Sequence, residues 1–202
     1  MVEVEFRPSR HGWHFANTWP RGAPVGLAGV TLARVYGGLC GGMCVLARDH
    51  WSAGTPIPAR REVPADGPLT AQLWQGQLRS LDLPLGPLRY LRLQAPAAAD
   101  ARRRATLETL PVVTAQLRSG RPALLGLVRA VSWNPALSGR HHVVLAYRMR
   151  VTPGPAGERV ELSVYDPNHP DRDRVRLVVG RDAGIEHTAS SIPVYALLSL
   201  DS

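Results

Sequence analysis

Cys40 is the residue on which chemistry could turn. It lies in Gly37-Gly38-Leu39-Cys40-Gly41-Gly42-Met43-Cys44, a glycine-rich turn running into an apolar stripe at helical spacing (Cys40, Cys44, Ala47, Trp51). A helix N-terminus offers unpaired N–H groups and partial positive charge. A thiol placed there ionises more readily and becomes a better nucleophile. The same N–H groups can hold the oxyanion of an acyl-transfer intermediate, and flanking glycines would let a substrate backbone come close. Against this stands the ordinary fate of a free cysteine, that of a small buried apolar residue.

Two further segments could complete such a site. Gly139-Arg140-His141-His142-Val143-Val144-Leu145-Ala146-Tyr147 puts two histidines at the start of a strand, where a ring can face a groove from a rigid support. The plainer readings are a solvated histidine or a metal ligand pair. Val164-Tyr165-Asp166-Pro167-Asn168-His169-Pro170 is a strand ending in Asp-Pro. A carboxylate there can hold an imidazole in the correct tautomer, as the third member of a triad does. Asp before Pro is also an ordinary strand terminator.

The elements that must position these residues follow from periodicity. Residues 1–7 alternate as a short strand, and 8–37, rich in Gly, Pro and Trp, form an ordered loop. Helices are expected from Cys40 to Trp51, ended by Gly54 and Pro56, over Leu69–Leu81, and over 100–118, with Gly120 as a stop. Pro111 should kink the last of these or mark a fresh start. Strands are expected at Ala123–Val131, His142–Val151, Val160–Tyr165, Val175–Val179 and Ile192–Leu200. Helices first and strands second is an α+β pattern. It puts a helical N-terminal half against a mostly antiparallel sheet, with a groove between them as the site.

A cysteine at a helix start, a histidine on a later strand, and a carboxylate at the end of the next is the order found in papain-like cysteine proteases. The chain resembles that superfamily, and is most similar to its bacterial branch containing the double-glycine leader peptidases. The matching residues are Cys40-Gly41, His141-His142-Val143-Val144 and Tyr165-Asp166-Pro167, with Leu117 to Gly126 resembling the Leu-x-x-Gly-x-Pro segment before the histidine strand. The resemblance implies one papain-like domain over 1–202 and a thiol-dependent hydrolase acting on a peptide or protein through Cys40, His142 and Asp166. It needs no organic cofactor and no metal. Such enzymes often carry a Gln about six residues before the nucleophile to complete the oxyanion hole; here that position is Arg34. Asn17 is the nearest amide donor on the N-terminal side.

Within each pair a choice is needed. Plant-type enzymes would favour Cys44 and leader peptidases Cys40; Cys40 follows the glycine turn, whereas Cys44 falls one turn inside the helix. His142 shares strand parity with Val144 and Ala146, and His141 with Val143 and Tyr147. The small residue four positions on, Ala146, makes His142 the closer match.

Rival readings are a zinc site from Cys40, Cys44, His141 and His142, and a papain-like fold kept as a non-catalytic binding or effector domain. Adjacent histidines on one strand point to opposite faces, which disfavours the metal. A disulfide between Cys40 and Cys44 would close too short a loop to stabilise much.

Composition bounds the partners. The 202 residues carry a formal net charge of +8, with 24 basic residues, every one an arginine. The arginines are scattered, the densest run being Arg102-Arg103-Arg104, with no interleaved aromatics, so no specific nucleic-acid partner is expected. The most apolar window, Val25 to Ala47, is broken by Arg34 and several glycines, so no membrane insertion is expected either. The N-terminus is acidic and alternating rather than signal-like, and the expected location is cytoplasmic.

Overall fold

The structure, a computed structural model, describes residues 1–19, 23–27, 30–35, 38–65, 67–82, 85–154 and 157–201. Its elements are β1 (Val2–Glu3), α1 (Pro8–His11), β2 (Ala23–Leu27), β3 (Val30–Val35), α2 (Cys40–Ser52), α3 (Pro68–Ser80), α4 (Leu85–Gln94), α5 (Ala99–Arg118), β4 (Ala123–Val128), a 3-10 turn (Pro135–Arg140), β5 (His142–Gly154), β6 (Gly157–Tyr165), β7 (Arg176–Val179), β8 (Ile185–His187) and β9 (Ala196–Ser199). The fold is α+β. Six strands run in the order β8-β7-β6-β5-β4-β9, each antiparallel to its neighbours, and β1 adds to β5. β8 and β9 stand at opposite ends of this order, yet Ile185 bridges Val194 just before β9. The sheet is therefore curled towards closure.

Register assigns the faces. Leu127 opposes His142, Leu125 opposes Val144, and Ala146 opposes Val164, so these side chains share the inner face of the curl. Leu125, Leu127, Val144, Ala146 and Val164 are all buried. The outer face meets α2 through a chain of hydrogen bonds: the Trp13 N–H donates to the Tyr165 hydroxyl at 3.2 Å, and the Trp13 indole N–H donates to the Met43 carbonyl at 3.1 Å. All residues of β4 are buried, which explains its unbroken apolar run.

Several elements depart from expectation for identifiable reasons. The 8–37 segment contains α1 and the β2–β3 hairpin instead of loop alone; its Gly and Pro residues disguised two strands. Arg34 falls on β3, and its side chain lies outside the described residues. α4 was not anticipated, although Gly86, Tyr90, Leu93 and Gln94 are its buried residues at helical spacing; Gly86-Pro87 reads as a breaker. α5 runs unbroken through Pro111. Contacts on both sides of the proline hold it: Thr109 donates to the Leu197 carbonyl at 3.3 Å, and the Thr114 hydroxyl lies 3.2 Å from the Met149 sulfur. The last apolar run splits at Pro193, which cannot donate to a ladder, so β9 starts only at Ala196.

The helix carrying Cys40 is set by glycines. A Cβ at Gly42 would lie 1.9 Å from the Leu73 carbonyl oxygen on α3, and one at Gly41 would lie 2.0 Å from the Ser80 hydroxyl. Gly76 faces them from α3, where a Cβ would come within 3.1 Å of the Gly42 Cα. Gly41 and Gly42 thus admit a neighbouring helix, and not a substrate backbone as their position beside the thiol suggests. Gly42→Ala is expected to destabilise the fold by at least about 1–3 kcal/mol, because backbone and not a flexible tip must move. At this length each kcal/mol lowers the melting temperature by about 2–4 °C. Gly139→Ala, with nothing within 4 Å of the added carbon, is the matched control and should melt as the parent does.

Candidate functional site

Cys40 is the first residue of α2, and its position follows from the turn before it. Gly38 has φ 76°, in the left-handed region that glycine adopts without strain. A side chain there would collide with the Asn17 amide, since a Cβ would lie 2.5 Å from both its terminal atoms. Asn17 Oδ1 accepts the Leu39 N–H at 2.6 Å, and its Nδ2 donates to Asn168 Oδ1 at 3.3 Å. Asn17 therefore ties the turn ahead of Cys40 to the loop that follows Asp166. In the first turn of α2, the Gly42 N–H is taken by Gln77 Oε1 at 3.1 Å.

His142 opens β5, and Asp166 follows the last residue of β6. Their strands are paired, which brings the two side chains together at one end of the inner face. His142 Nε2 lies 2.6 Å from Asp166 Oδ1. Oδ1 also accepts the Asn168 N–H at 2.9 Å, and Oδ2 lies 3.0 Å from His187 Nε2. With Nε2 committed to Asp166, the other ring nitrogen of His142, Nδ1, is the one left for Cys40.

The electrostatics follow from these neighbours. Burial opposes ionisation of Cys40, but the charge and hydrogen bond of His142, with backbone hydrogen bonds at Val143 and Gly41, outweigh it and hold the thiol pKa below its ordinary value. Burial pushes His142 down, while the Cys40 thiolate and the Asp166 carboxylate raise it to about 9. Asp166 resists burial through its bonds to His142 and His187, and stays ionised far below the usual carboxylate range. The arrangement favours thiolate and imidazolium over neutral thiol and imidazole. A raised histidine stabilises the fold fully below its unfolded value of about 6.5. That contribution fades as pH climbs through about 9.

The other members of the two pairs lie apart from this arrangement. Burial together with the negative charges of Cys40 and Asp166 raises Cys44 well above the ordinary thiol value, and its thiol donates to the Val143 carbonyl at 3.5 Å. Both cysteines are free. His141 accepts the Arg129 N–H at Nδ1 (3.2 Å), donates from Nε2 to Gln94 Oε1 (3.1 Å), and stacks on Tyr90 with ring centroids 4.8 Å apart. Burial pushes its pKa down to about 4, so it is a neutral structural ring. The four residues of the zinc reading therefore do not converge. Among the described residues no group of three or more His, Cys, Asp or Glu could hold a metal ion, and no helix is long and apolar enough to cross a membrane.

A groove of about 420 Å³ opens beside Cys40 and His142. Its walls come from α3, α4 and the 3-10 turn, with Gln77, Leu81, Tyr90, Leu91 and Pro135 among them. Two residues absent from the sequence reading also bear on the site. His187 is buried on β8, where alternation with Ile185 was the available signal. Arg129 is buried just past β4, with Nε and Nη2 lacking partners among the described residues, and its charge is felt by Asp166 and Cys40.

The geometry carries a pH signature. Between pH 8 and pH 6 iodoacetamide alkylation of Cys40 should slow by clearly less than the roughly two orders of magnitude lost by an ordinary thiol. His142→Ala should abolish this acid-side reactivity and His141→Ala should preserve it; peptide mapping by mass spectrometry separates Cys40 from the unreactive Cys44.

Searched against protein-family models, curated proteins and solved structures, the chain matches none of them.

Proposed function

We propose that this chain is a thiol-dependent hydrolase of the papain-like kind, a single domain that cleaves a peptide or amide bond in a peptide or protein through Cys40, His142 and Asp166. The observation that carries the reading is the buried His142–Asp166 bond of 2.6 Å beside a thiol whose ionisation that histidine favours.

The Cys40 thiolate attacks the substrate carbonyl carbon, forming the C–S bond while the carbonyl electron pair moves onto oxygen. With the Leu39 and Gly42 N–H groups taken by Asn17 and Gln77, the Cys40 N–H at the start of α2 would hold that oxyanion, helped by the Asn17 amide, whose Nδ2 keeps a second hydrogen beyond the one given to Asn168. His142 then passes its proton to the leaving nitrogen as the C–N bond breaks, leaving a thioester on Cys40. In the second half His142 takes a proton from water, the hydroxide displaces sulfur, and the acid product leaves with the thiolate restored. Asp166 keeps the ring oriented and stabilises its charged form. A nucleophilic free thiol persists where thiols are kept reduced, which supports a cytoplasmic location.

The binding-domain reading draws support from one observation: Cys40 is only 6% exposed. The experiment that separates them incubates wild type and Cys40→Ala with a proteome-derived peptide library and counts new termini. Wild type should generate termini that Cys40→Ala does not, and His142→Ala should reduce their rate by about 10²–10⁴-fold. An epoxide-type cysteine probe should label wild type and spare Cys40→Ala. Identical termini from both proteins, or equal labelling, removes the hydrolase and leaves a binding domain.

A further inference from the structure

Asp166 has a second histidine that the mechanism above does not use. His187 Nε2 lies 3.0 Å from Oδ2, while Oδ1 serves His142 at 2.6 Å. The two imidazoles therefore grip opposite oxygens of one carboxylate. The tautomer of His187 is set from its far side, where Nδ1 accepts the Ala189 N–H at 3.2 Å. With that nitrogen accepting, Nε2 carries the proton and donates to Asp166. Asp166 and His187 are both buried, their side chains 0% and 1% exposed.

A carboxylate anchored at a single oxygen can swing about its χ2 torsion, a broad and soft coordinate. The Asn168 N–H converges on Oδ1, the same oxygen as His142, and so leaves that swing open. Among the described residues only His187 holds the other end. We propose that His187 is a positioning residue: by donating to Oδ2 it fixes the plane of Asp166, and so keeps Oδ1 aligned on His142. The consequence for catalysis rests on the hydrolase reading; the effect on His142 does not.

The arrangement has a structural logic. β8 pairs along its length with β7 and touches the segment before β9 through the Ile185–Val194 bridge, and Leu177 opposes His187 across the β7 pair. Leu177 in turn opposes Leu162 of β6, four residues before Asp166. The curl of the sheet brings the His187 ring round to the end where β6 releases Asp166. The ionisable groups around the carboxylate are His142, His187, Cys40, Cys44, Tyr165, Arg129 and His169, whose ring centroid lies 6.1 Å from that of His187. His187 alone among them contacts Oδ2.

The test follows the His142 ring directly, by long-range proton–nitrogen NMR of the imidazoles across pH. Three proteins are compared: wild type, His187→Gln, whose amide can still donate to Oδ2, and His187→Met, which fills the space without a donor. Wild-type His142 should titrate near about 9. His187→Met should lower that inflection by about one unit or more, and His187→Gln should keep it within roughly half a unit. A residue that merely filled the core would lower the melting temperature in His187→Met and leave the inflection in place. An unchanged or raised inflection in His187→Met, or equal loss in both variants, overturns the proposal. Should His187→Met fail to fold, His187→Ser is read in its place against the same limits. Iodoacetamide kinetics on the same wild-type sample at pH 6 test the hydrolase reading separately. Slow, free-cysteine-like alkylation there defeats that reading, while the His142 shift still decides the role of His187.

Discussion

A single buried carboxylate organises this protein. An isolated carboxylate removed from water is costly by several kcal/mol even after relaxation, and it persists only where its oxygens are hydrogen-bonded and its charge is opposed. Asp166 is 1% exposed, and its bonds come from three different places: the start of β5, the loop immediately after it, and the end of β8. Each of those segments must be in place before the charge is tolerable. The curl of the sheet, which brings β8 round to the end of β6, is thus tied to the same group that polarises His142. Arg129 contributes opposite charge nearby, so Asp166 and the ionised form of Cys40 face two cations, His142 and Arg129.

The thiol side of the site is built on a different constraint, close approach. α2 and α3 pack with almost no side chain between them at Gly41, Gly42 and Gly76. That proximity puts Gln77 against the first turn of α2 and lines the groove with residues of α3 and α4. Cys44, one turn along, hydrogen-bonds the Val143 carbonyl of β5, the residue next to His142. That contact ties α2 to β5 one turn along from Cys40.

Much of this was legible in the chain, and the rest was hidden for physical reasons. The α+β division, α2, α5 and the central strands follow from periodicity because each buries one stripe or one face. The small residue Ala146, four positions on, favours His142 over His141; His141 lies one residue ahead of β5, where its ring stacks on Tyr90. His187 escaped because its partner is twenty-one positions away and joins it only through the curl, which no local pattern records. Arg129 escaped because a lone arginine after an apolar strand looks like a solvated end. The β2–β3 hairpin and α4 were masked by Gly and Pro, whose local preference is overruled by tertiary contacts. Asn17 was legible only as an amide of the right kind; that it braces the turn at Gly38 required the fold.

The long-range pairing has a consequence during synthesis. The ribosome makes chain from the N-terminus at about 5–20 residues per second, so Cys40 emerges on the order of 10 s before His187. Through that interval the thiol has neither the imidazole of His142 nor the braced carboxylate beside it, and it is an ordinary cysteine. The environment that lowers its pKa is complete only when the last strands close the sheet. The nascent polypeptide, the translation machinery and its chaperones therefore meet a thiol without its folded surroundings, and on the proposed reading an active thiol exists only in a finished molecule.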